Sequence, residues 1–147
     1  GLGRTISRQD ALDIVNQAME AGLVLQPGNA QKPANICLCC GCCCQILKNL
    51  NRLEAPAKAV SSNYFAVVDE EGCTACGVCE ERCQMDAIEG ADTAQVNLDR
   101  CIGCGLCVPT CDVDAIRMVE KQEADKAVPP RSVAGTYISM AKERGLI

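Results

Sequence analysis

Two copies of one cysteine pattern place the strongest constraint on how this chain can fold. The first copy comprises Cys73, Cys76, Cys79 and Cys83, and the second comprises Cys101, Cys104, Cys107 and Cys111. Both have the spacing C-x2-C-x2-C-x3-C. In both, the fourth cysteine is followed, after two further residues, by Asp-Ala-Ile. Gaps of two residues let a chain curl around a cubane cluster so that three thiolates reach three of its irons. The sequence therefore predicts two 4Fe–4S clusters.

Disulfides and zinc explain this pattern less well. A disulfide scaffold gives no reason for two identical runs, and bridges across such short gaps would be strained. Zinc sites usually combine paired C-x2-C units from separated turns, whereas each run here has three evenly spaced cysteines within seven residues.

The composition limits what else can hold the fold together. The chain has 147 residues, of which 14 are cysteine, while aromatic residues make up only 2%. The hydrophobic fraction of 48% includes those cysteines, so the aliphatic core is thin. We therefore expect a cysteine-bound group to supply much of the folding free energy.

Several classes of function are excluded by the same numbers. The chain contains no histidine, which rules out imidazole-based catalysis, mixed Cys/His zinc sites and Rieske centres. A net charge of −5 argues against direct nucleic-acid binding. No apolar run is long enough to span a membrane, and we expect a cytoplasmic protein.

Residues 64–120 resemble the bacterial-type dicluster ferredoxins through this repeat. The resemblance implies an α+β, pseudo-twofold fold, with a strand at 64–68 paired to 116–119 and a hairpin of 87–89 with 95–98. It also implies crossed ligation, in which the fourth cysteine of each copy binds the other cluster. The implied ligands are Cys73, Cys76, Cys79 and Cys111 for one cluster, and Cys101, Cys104, Cys107 and Cys83 for the other. Ile88, Ile102 and Ile116 would shield the clusters from water.

One departure from the ferredoxin pattern concerns the residue after each fourth cysteine. That residue is usually proline, whereas Gln84 and Asp112 occupy the two positions here. Both retain a backbone N–H that proline lacks. No ligand is lost, so cluster binding is expected to be retained.

Helical extensions are predicted on both sides of this region. Residues 1–63 contain an amphipathic helix at 7–21, capped by Ser7 and ended by Gly22, and a second helix at 44–53. A turn is predicted at 26–29. Residues 121–147 contain a helix at 132–143, whose apolar face we expect to pack on the domain.

A second cysteine run lies before the second helix. It comprises Cys37, Cys39, Cys40, Cys42, Cys43 and Cys44. The run favours a third iron–sulfur centre on three or four of these thiols, while zinc and free or disulfide-linked thiols remain alternatives. Among the possible sets we favour Cys39, Cys40, Cys42 and Cys44.

The whole chain resembles the C-terminal part of larger ferredoxin-like iron–sulfur proteins of anaerobic microbes. The shared residues are Gly-Arg-Thr-Ile-Ser at 3–7, the cysteine run at 36–44 and the dicluster region. The predicted function is low-potential electron transfer to a redox partner protein or an upstream domain. A substrate-reducing oxidoreductase domain with an open-coordinate cluster at Cys37–Cys44, or a redox-sensing module of a regulator, are the alternatives.

Overall fold

The structure is a computed structural model that describes residues 3–147. Within these residues the chain forms four α-helices and three two-stranded antiparallel sheets. This mixture of helices and small sheets agrees with the predicted α+β class. None of the described helices is long and apolar enough to cross a membrane.

Helix α1 (Arg8–Glu20) begins where the sequence predicts. The Ser7 hydroxyl accepts a hydrogen bond from the Asp10 N–H at 3.1 Å, and the Asp10 carboxylate accepts one from the Ser7 N–H at 2.9 Å. This capping box satisfies amide groups that the first helical turn leaves without partners. Gly22 follows the helix with a φ of +75°, a conformation that glycine adopts at little cost.

A hairpin that the sequence analysis did not predict follows α1. Strand β1 (Val24–Pro27) pairs antiparallel with β2 (Ile36–Cys39). The turn predicted at 26–29 is therefore wrong for Gln26 and Pro27, which pair with Cys37 and Ile36. A two-stranded sheet tolerates proline because each strand is an edge strand. Helix α2 (Gln45–Asn51) follows and is shorter than the predicted 44–53.

The cysteine repeat folds around two further sheets. Strand β3 (Tyr64–Val68) pairs antiparallel with β6 (Ile116–Glu120), as predicted with one additional residue. Strands β4 (Ile88–Glu89) and β5 (Gln95–Val96) form a hairpin shorter than predicted. Helix α3 (Val78–Arg82) lies within the first cysteine copy, whereas the second copy has only a 3-10 turn at Val108–Thr110. Pro109 lies in that turn, where it removes one backbone N–H.

The two cysteine copies share left-handed backbone conformations at two pairs of equivalent positions. Gly77 and Gly105 follow the second cysteine of each copy, and both have a φ of +76°. Asp86 and Asp114 precede the Ala-Ile pair with φ values of +49° and +52°. Left-handed conformations are uncommon for residues other than glycine, so their recurrence reflects a shared local structure.

The buried side chains form two apolar clusters. The cysteine-copy cluster contains Ala66, Cys79, Ile88, Ala94, Cys107 and Ile116. The docking cluster contains Val24, Leu47, Met85, Ala87 and Leu106. The docking cluster joins β1 and α2 to the cysteine repeat, so the N-terminal region packs directly against the repeat.

Hydrogen bonds from two arginines reinforce this packing. The Arg82 guanidinium donates to the carbonyl oxygens of Met19 and Glu20 at the end of α1. The Arg100 guanidinium donates to the carbonyl oxygens of Met85 and Leu53 at 2.8 and 3.1 Å. A cation at a helix C-terminus also interacts favourably with the helix dipole, which applies to Arg82.

Helix α4 (Val133–Glu143) does not pack as expected. Its apolar face was predicted to cover the domain, but none of its residues is buried, and Tyr137 and Ile138 are 67% and 50% exposed. The helix is attached near its N-terminus, where the Thr136 hydroxyl donates to the Asn29 carbonyl oxygen at 2.6 Å. An amphipathic pattern shows that a helix can bury one face, but not that a partner surface exists within the same chain.

The docking cluster gives a stability prediction. Leu47 is 0% exposed, so Leu47→Ala is expected to cost about 2–5 kcal/mol. For a chain of this length, the unfolding midpoint should fall by on the order of 5–15 °C, measured by circular dichroism on anaerobic protein. The matched control is Ile46→Ala on the same helix, which removes a 61% exposed side chain and should have little effect. Equal effects of the two changes would contradict the assigned core.

Candidate metal centres

The first of two cavities brings together thiols from both cysteine copies. Its thiols belong to Cys73, Cys76, Cys79 and Cys111. The first three lie in the loop before α3 and within α3, while Cys111 follows the 3-10 turn of the second copy. Pairing of β3 with β6 brings the end of the second copy beside the first loop. The cavity measures about 450 Å³ including its open mouth.

The second cavity has the reciprocal composition. Its thiols belong to Cys83, Cys101, Cys104 and Cys107, and its volume is about 360 Å³ including its mouth. Only Cys83 comes from the first copy. The other side chains that line this cavity are apolar, among them Met85, Ile102 and Leu106. The structure therefore gathers the eight repeat cysteines into the two groups of four that the ferredoxin resemblance implies.

The distances between the sulfur atoms distinguish a site for a 4Fe–4S cube from a site for a single metal ion. Four thiolates around one tetrahedral zinc ion, with Zn–S of about 2.3 Å, lie about 3.8 Å apart. In neither cavity do three sulfur atoms lie within 4.8 Å of one another. Thiolates on a 4Fe–4S cube lie roughly 6 Å apart, which these wider groups can accommodate. The eight cysteines are also free of disulfides.

Backbone amides point at several of these sulfur atoms. The Ala94 and Ala75 N–H groups both donate to Cys73 Sγ at 3.5 Å, and they lower the pKa of that thiol. The Ala87 N–H donates to Cys83 Sγ at 3.3 Å, and the Ala115 N–H donates to Cys111 Sγ at 3.2 Å. Because hydrogen bonds to the charged form stabilise it, the two amides at Cys73 favour its thiolate, the form that binds metal.

Burial raises the pKa of other thiols, which is opposite to the effect of the backbone amides on Cys73. It raises the pKa of Cys79 and of Cys104, and together with the neighbouring Cys104 and Cys101 thiols it raises the pKa of Cys107 to about 12. Several thiolates in one apolar cavity therefore need a cationic centre to offset their burial and mutual repulsion. The donor set fits an iron–sulfur cluster, which requires deprotonated cysteines.

The three isoleucines assigned to shielding lie beside these cavities. Ile116 lines the first cavity, while Ile88 and Ile102 line the second. Ile88 and Ile116 are buried, and Ile102 is half-buried. That their side chains shield bound clusters from water stays a prediction.

The second cysteine run divides into two groups rather than forming one. Cys37 and Cys39 lie on β2, and Cys39 contacts Cys44 at the start of α2. The other group comprises Cys40, Cys42 and Cys43, whose sulfur atoms all lie within 4.8 Å of one another. The favoured set of Cys39, Cys40, Cys42 and Cys44 is therefore split between the two groups. The reason is the end of β2 at Cys39, after which the chain turns away.

Gln84 connects this cysteine run to the repeat. Its side-chain carbonyl accepts a hydrogen bond from the Gly41 N–H at 2.8 Å, and its side-chain amide donates to the Gly22 carbonyl oxygen at 3.1 Å. The sequence analysis did not assign Gln84 this role. The sequence feature that could have indicated this role is a glutamine at a position where ferredoxins usually have proline. A proline side chain could make neither of these two hydrogen bonds.

Comparison with known proteins agrees with the geometry. Residues 66–118 match the model of the 4Fe-4S dicluster domain family. This part of the chain is therefore a 4Fe–4S dicluster ferredoxin-like domain, and it binds 4Fe–4S clusters. No curated protein matches the chain. The wider resemblance to larger iron–sulfur proteins stays a prediction.

Removal of iron is expected to unfold the dicluster domain. Without metal, the thiols in the two cavities lose the interaction that offsets their burial, and the remaining core is thin. Anaerobic chelation should therefore abolish the native circular dichroism and make residues 66–118 sensitive to protease. A chelated sample that keeps its native spectrum and its protease resistance would contradict this expectation.

Proposed function

We propose that the chain is an electron relay that holds two 4Fe–4S clusters by crossed ligation. The observation that carries this proposal is the composition of the cavities, each lined by three thiols of one cysteine copy and the fourth thiol of the other. The first cluster is bound by Cys73, Cys76, Cys79 and Cys111. The second cluster is bound by Cys101, Cys104, Cys107 and Cys83. Each cluster accepts and releases one electron, and the matching conformations of the copies support a pseudo-twofold arrangement.

The residues between the two cavities provide a short path for electrons. The cysteine-copy cluster contains Cys79 from the first cavity and Cys107 from the second, packed with Ala66, Ile88 and Ile116. This contiguous, well-packed region excludes water between the clusters. The net charge of −5 and the burial of the thiols both disfavour an added electron, which supports a low reduction potential.

The first cavity is the better site for exchange with a partner. Cys76 is exposed, and the adjacent Glu80 is exposed as well. The docking cluster, which includes Val24 and Leu47, covers Cys83, Cys101 and Cys104 of the second cavity. A redox partner would therefore bind over the first cavity, and a basic surface on that partner would complement the acidic residues there.

A third iron–sulfur centre that uses Cys39 and Cys44 of the second cysteine run stays part of the proposal. Cys39 and Cys44 both pack against the docking cluster, which also contacts Cys83 and Cys104. A centre held by these two thiols would extend the relay from the second cavity towards the N-terminal region. An iron content of about eight per chain corresponds to two cubes, and about twelve corresponds to three.

Paired cysteine substitutions test the crossed ligation. Cys111→Ala is expected to remove one cluster and about four irons. Adding Cys76→Ala should cost little further iron, because both thiols bind the same cluster. Adding Cys104→Ala to Cys111→Ala instead should remove the second cluster as well. Iron analysis and electron paramagnetic resonance of anaerobically reduced protein measure the outcome.

The opposite result would identify uncrossed ligation. If Cys111→Ala with Cys104→Ala kept one cluster while Cys111→Ala with Cys76→Ala kept none, each copy would bind its own fourth cysteine. Cys83→Ala is the matched control from the other copy. It should show the reciprocal behaviour, with Cys104→Ala adding nothing and Cys76→Ala removing the remaining cluster.

Removal of two negative charges tests whether the redox partner binds over the first cavity. Glu80→Gln with Glu81→Gln removes two exposed carboxylates beside the first cavity. Stopped-flow electron transfer to a cationic haem protein should slow by about twofold to tenfold at low ionic strength, and the difference should shrink as salt is added. Glu143→Gln on α4 is the control and should leave the rate unchanged. Equal rates for all three proteins would place the exchange site elsewhere.

A further inference from the structure

The turn between β2 and α2 gathers three sulfur atoms outside the two cavities. The Sγ atoms of Cys40, Cys42 and Cys43 all lie within 4.8 Å of one another, and those of Cys40 and Cys43 are 3.2 Å apart. Within residues 3–147, no other three cysteine, aspartate or glutamate side chains bring their ligand atoms this close together. The electron relay proposed above does not use these thiols.

These sulfur atoms lie too close together for a cube, and they are near enough to share one metal ion once the Cys40–Cys42 disulfide is reduced. Thiolates around a tetrahedral zinc ion lie about 3.8 Å apart, as calculated from a Zn–S distance of about 2.3 Å. Thiolates on a cube lie roughly 6 Å apart, farther than any pair in this group. We propose that Cys40, Cys42 and Cys43 bind one Zn²⁺ ion, at a site separate from both cluster cavities.

A disulfide accounts for only part of this arrangement. The sulfur atoms of Cys40 and Cys42 lie at bonding distance as a disulfide. A disulfide joins two sulfur atoms, however, and gives no reason for the Cys43 sulfur to approach that of Cys40 as well. Two electrons and two protons from an added phosphine or dithiol convert that disulfide to two thiols. A zinc ion then binds Cys40, Cys42 and Cys43 as thiolates, with the release of three protons.

The fourth coordination position of this ion faces solvent. Cys42 and Cys43 are exposed, and Cys40 is half-buried. The chain has no histidine to complete the coordination. Zinc with three protein ligands takes water or an added ligand in the fourth position, which distinguishes such sites from closed structural ones. The site is therefore suited to a small thiol or another soft ligand from solution.

Gln84 acts as the positioning residue for this turn. Its side chain accepts from the Gly41 N–H and donates to the Gly22 carbonyl oxygen, so it fixes the segment between Cys40 and Cys42. A Cβ atom on Gly41 would lie 2.8 Å from Gln84 Oε1, so a larger residue at position 41 would displace this side-chain oxygen. Gln84 directly follows Cys83, and the zinc turn is thereby attached to the wall of the second cavity.

Metal analysis of the full chain tests the zinc site. Anaerobically purified protein is reduced with a phosphine, dialysed against ZnCl₂ and freed of loosely bound metal on a desalting column, and its zinc and iron are then measured. We expect about one zinc per chain, with zinc-edge absorption showing about three sulfur ligands near 2.3 Å. Cys42→Ser should lower the zinc content to near zero and leave the iron unchanged. Cys37→Ser is the matched control from the same run and should change neither metal.

Three results would overturn the proposal. The first is the absence of zinc, with a peptide mass showing a Cys40–Cys42 disulfide. The second is a zinc content that Cys42→Ser does not lower. The third is a loss of iron in Cys42→Ser, which would assign these thiols to a third iron–sulfur centre. A failure of the dicluster proposal would instead appear as low iron in the unsubstituted protein, so the two failures are distinguishable.

Substitutions of Gln84 test its positioning role. Gln84→Ala should weaken zinc binding by about 10-fold to 100-fold in competition with a chromophoric chelator, because the turn loses its anchor. Gln84→Glu retains an acceptor for the Gly41 N–H and should recover part of that affinity. The iron content should stay the same in both variants, since neither removes a cysteine. Equal zinc affinity in Gln84→Ala and the unsubstituted chain would show that the turn needs no anchor.

Discussion

In the crossed ligation that we propose, the dicluster domain depends on the exchange of one cysteine between its two copies. Cys111 lines the cavity of the first copy, and Cys83 lines that of the second. Neither cavity can be completed by one copy, so each half needs the other to satisfy its buried thiols. Antiparallel pairing of β3 with β6 and of β4 with β5 brings the copies together. A domain with so few large apolar side chains thus obtains its cohesion from cysteines that converge on shared centres.

The position after the fourth cysteine connects this domain to the N-terminal region. Asp112 is exposed at this position in the second copy, whereas Gln84 in the first copy holds Gly41 and Gly22. The two copies therefore differ at a residue where ferredoxins of the family they resemble usually have proline. The difference gives the domain one covered cavity and one accessible cavity.

The second cysteine run is organised by the same contacts. Strand β2 directs Cys39 towards Cys44 and the docking cluster, while in the following turn Cys42 and Cys43 are exposed and Cys40 is half-buried. Two groups with different sulfur separations and different exposure are suited to different chemistry. One lies beside the second cavity, where it can exchange electrons, and the other is open to ligands from solution.

The sequence by itself determined the cysteine repeat, the strand at 64–68, the start of α1 and the chemical class of the domain, while the pairing of β3 with β6 was implied by the ferredoxin resemblance. These features follow from local signals, namely fixed cysteine spacings, an N-cap and a short apolar strand. Tertiary structure decided the β1–β2 hairpin, the exposed face of α4, the role of Gln84 and the division of the second cysteine run. Each of these depends on which distant surface a segment meets, and spacing along the chain carries no information about that surface. Six cysteines in one run show that metal binding is chemically possible, but only the turn after Cys39 determines which sulfur atoms come together.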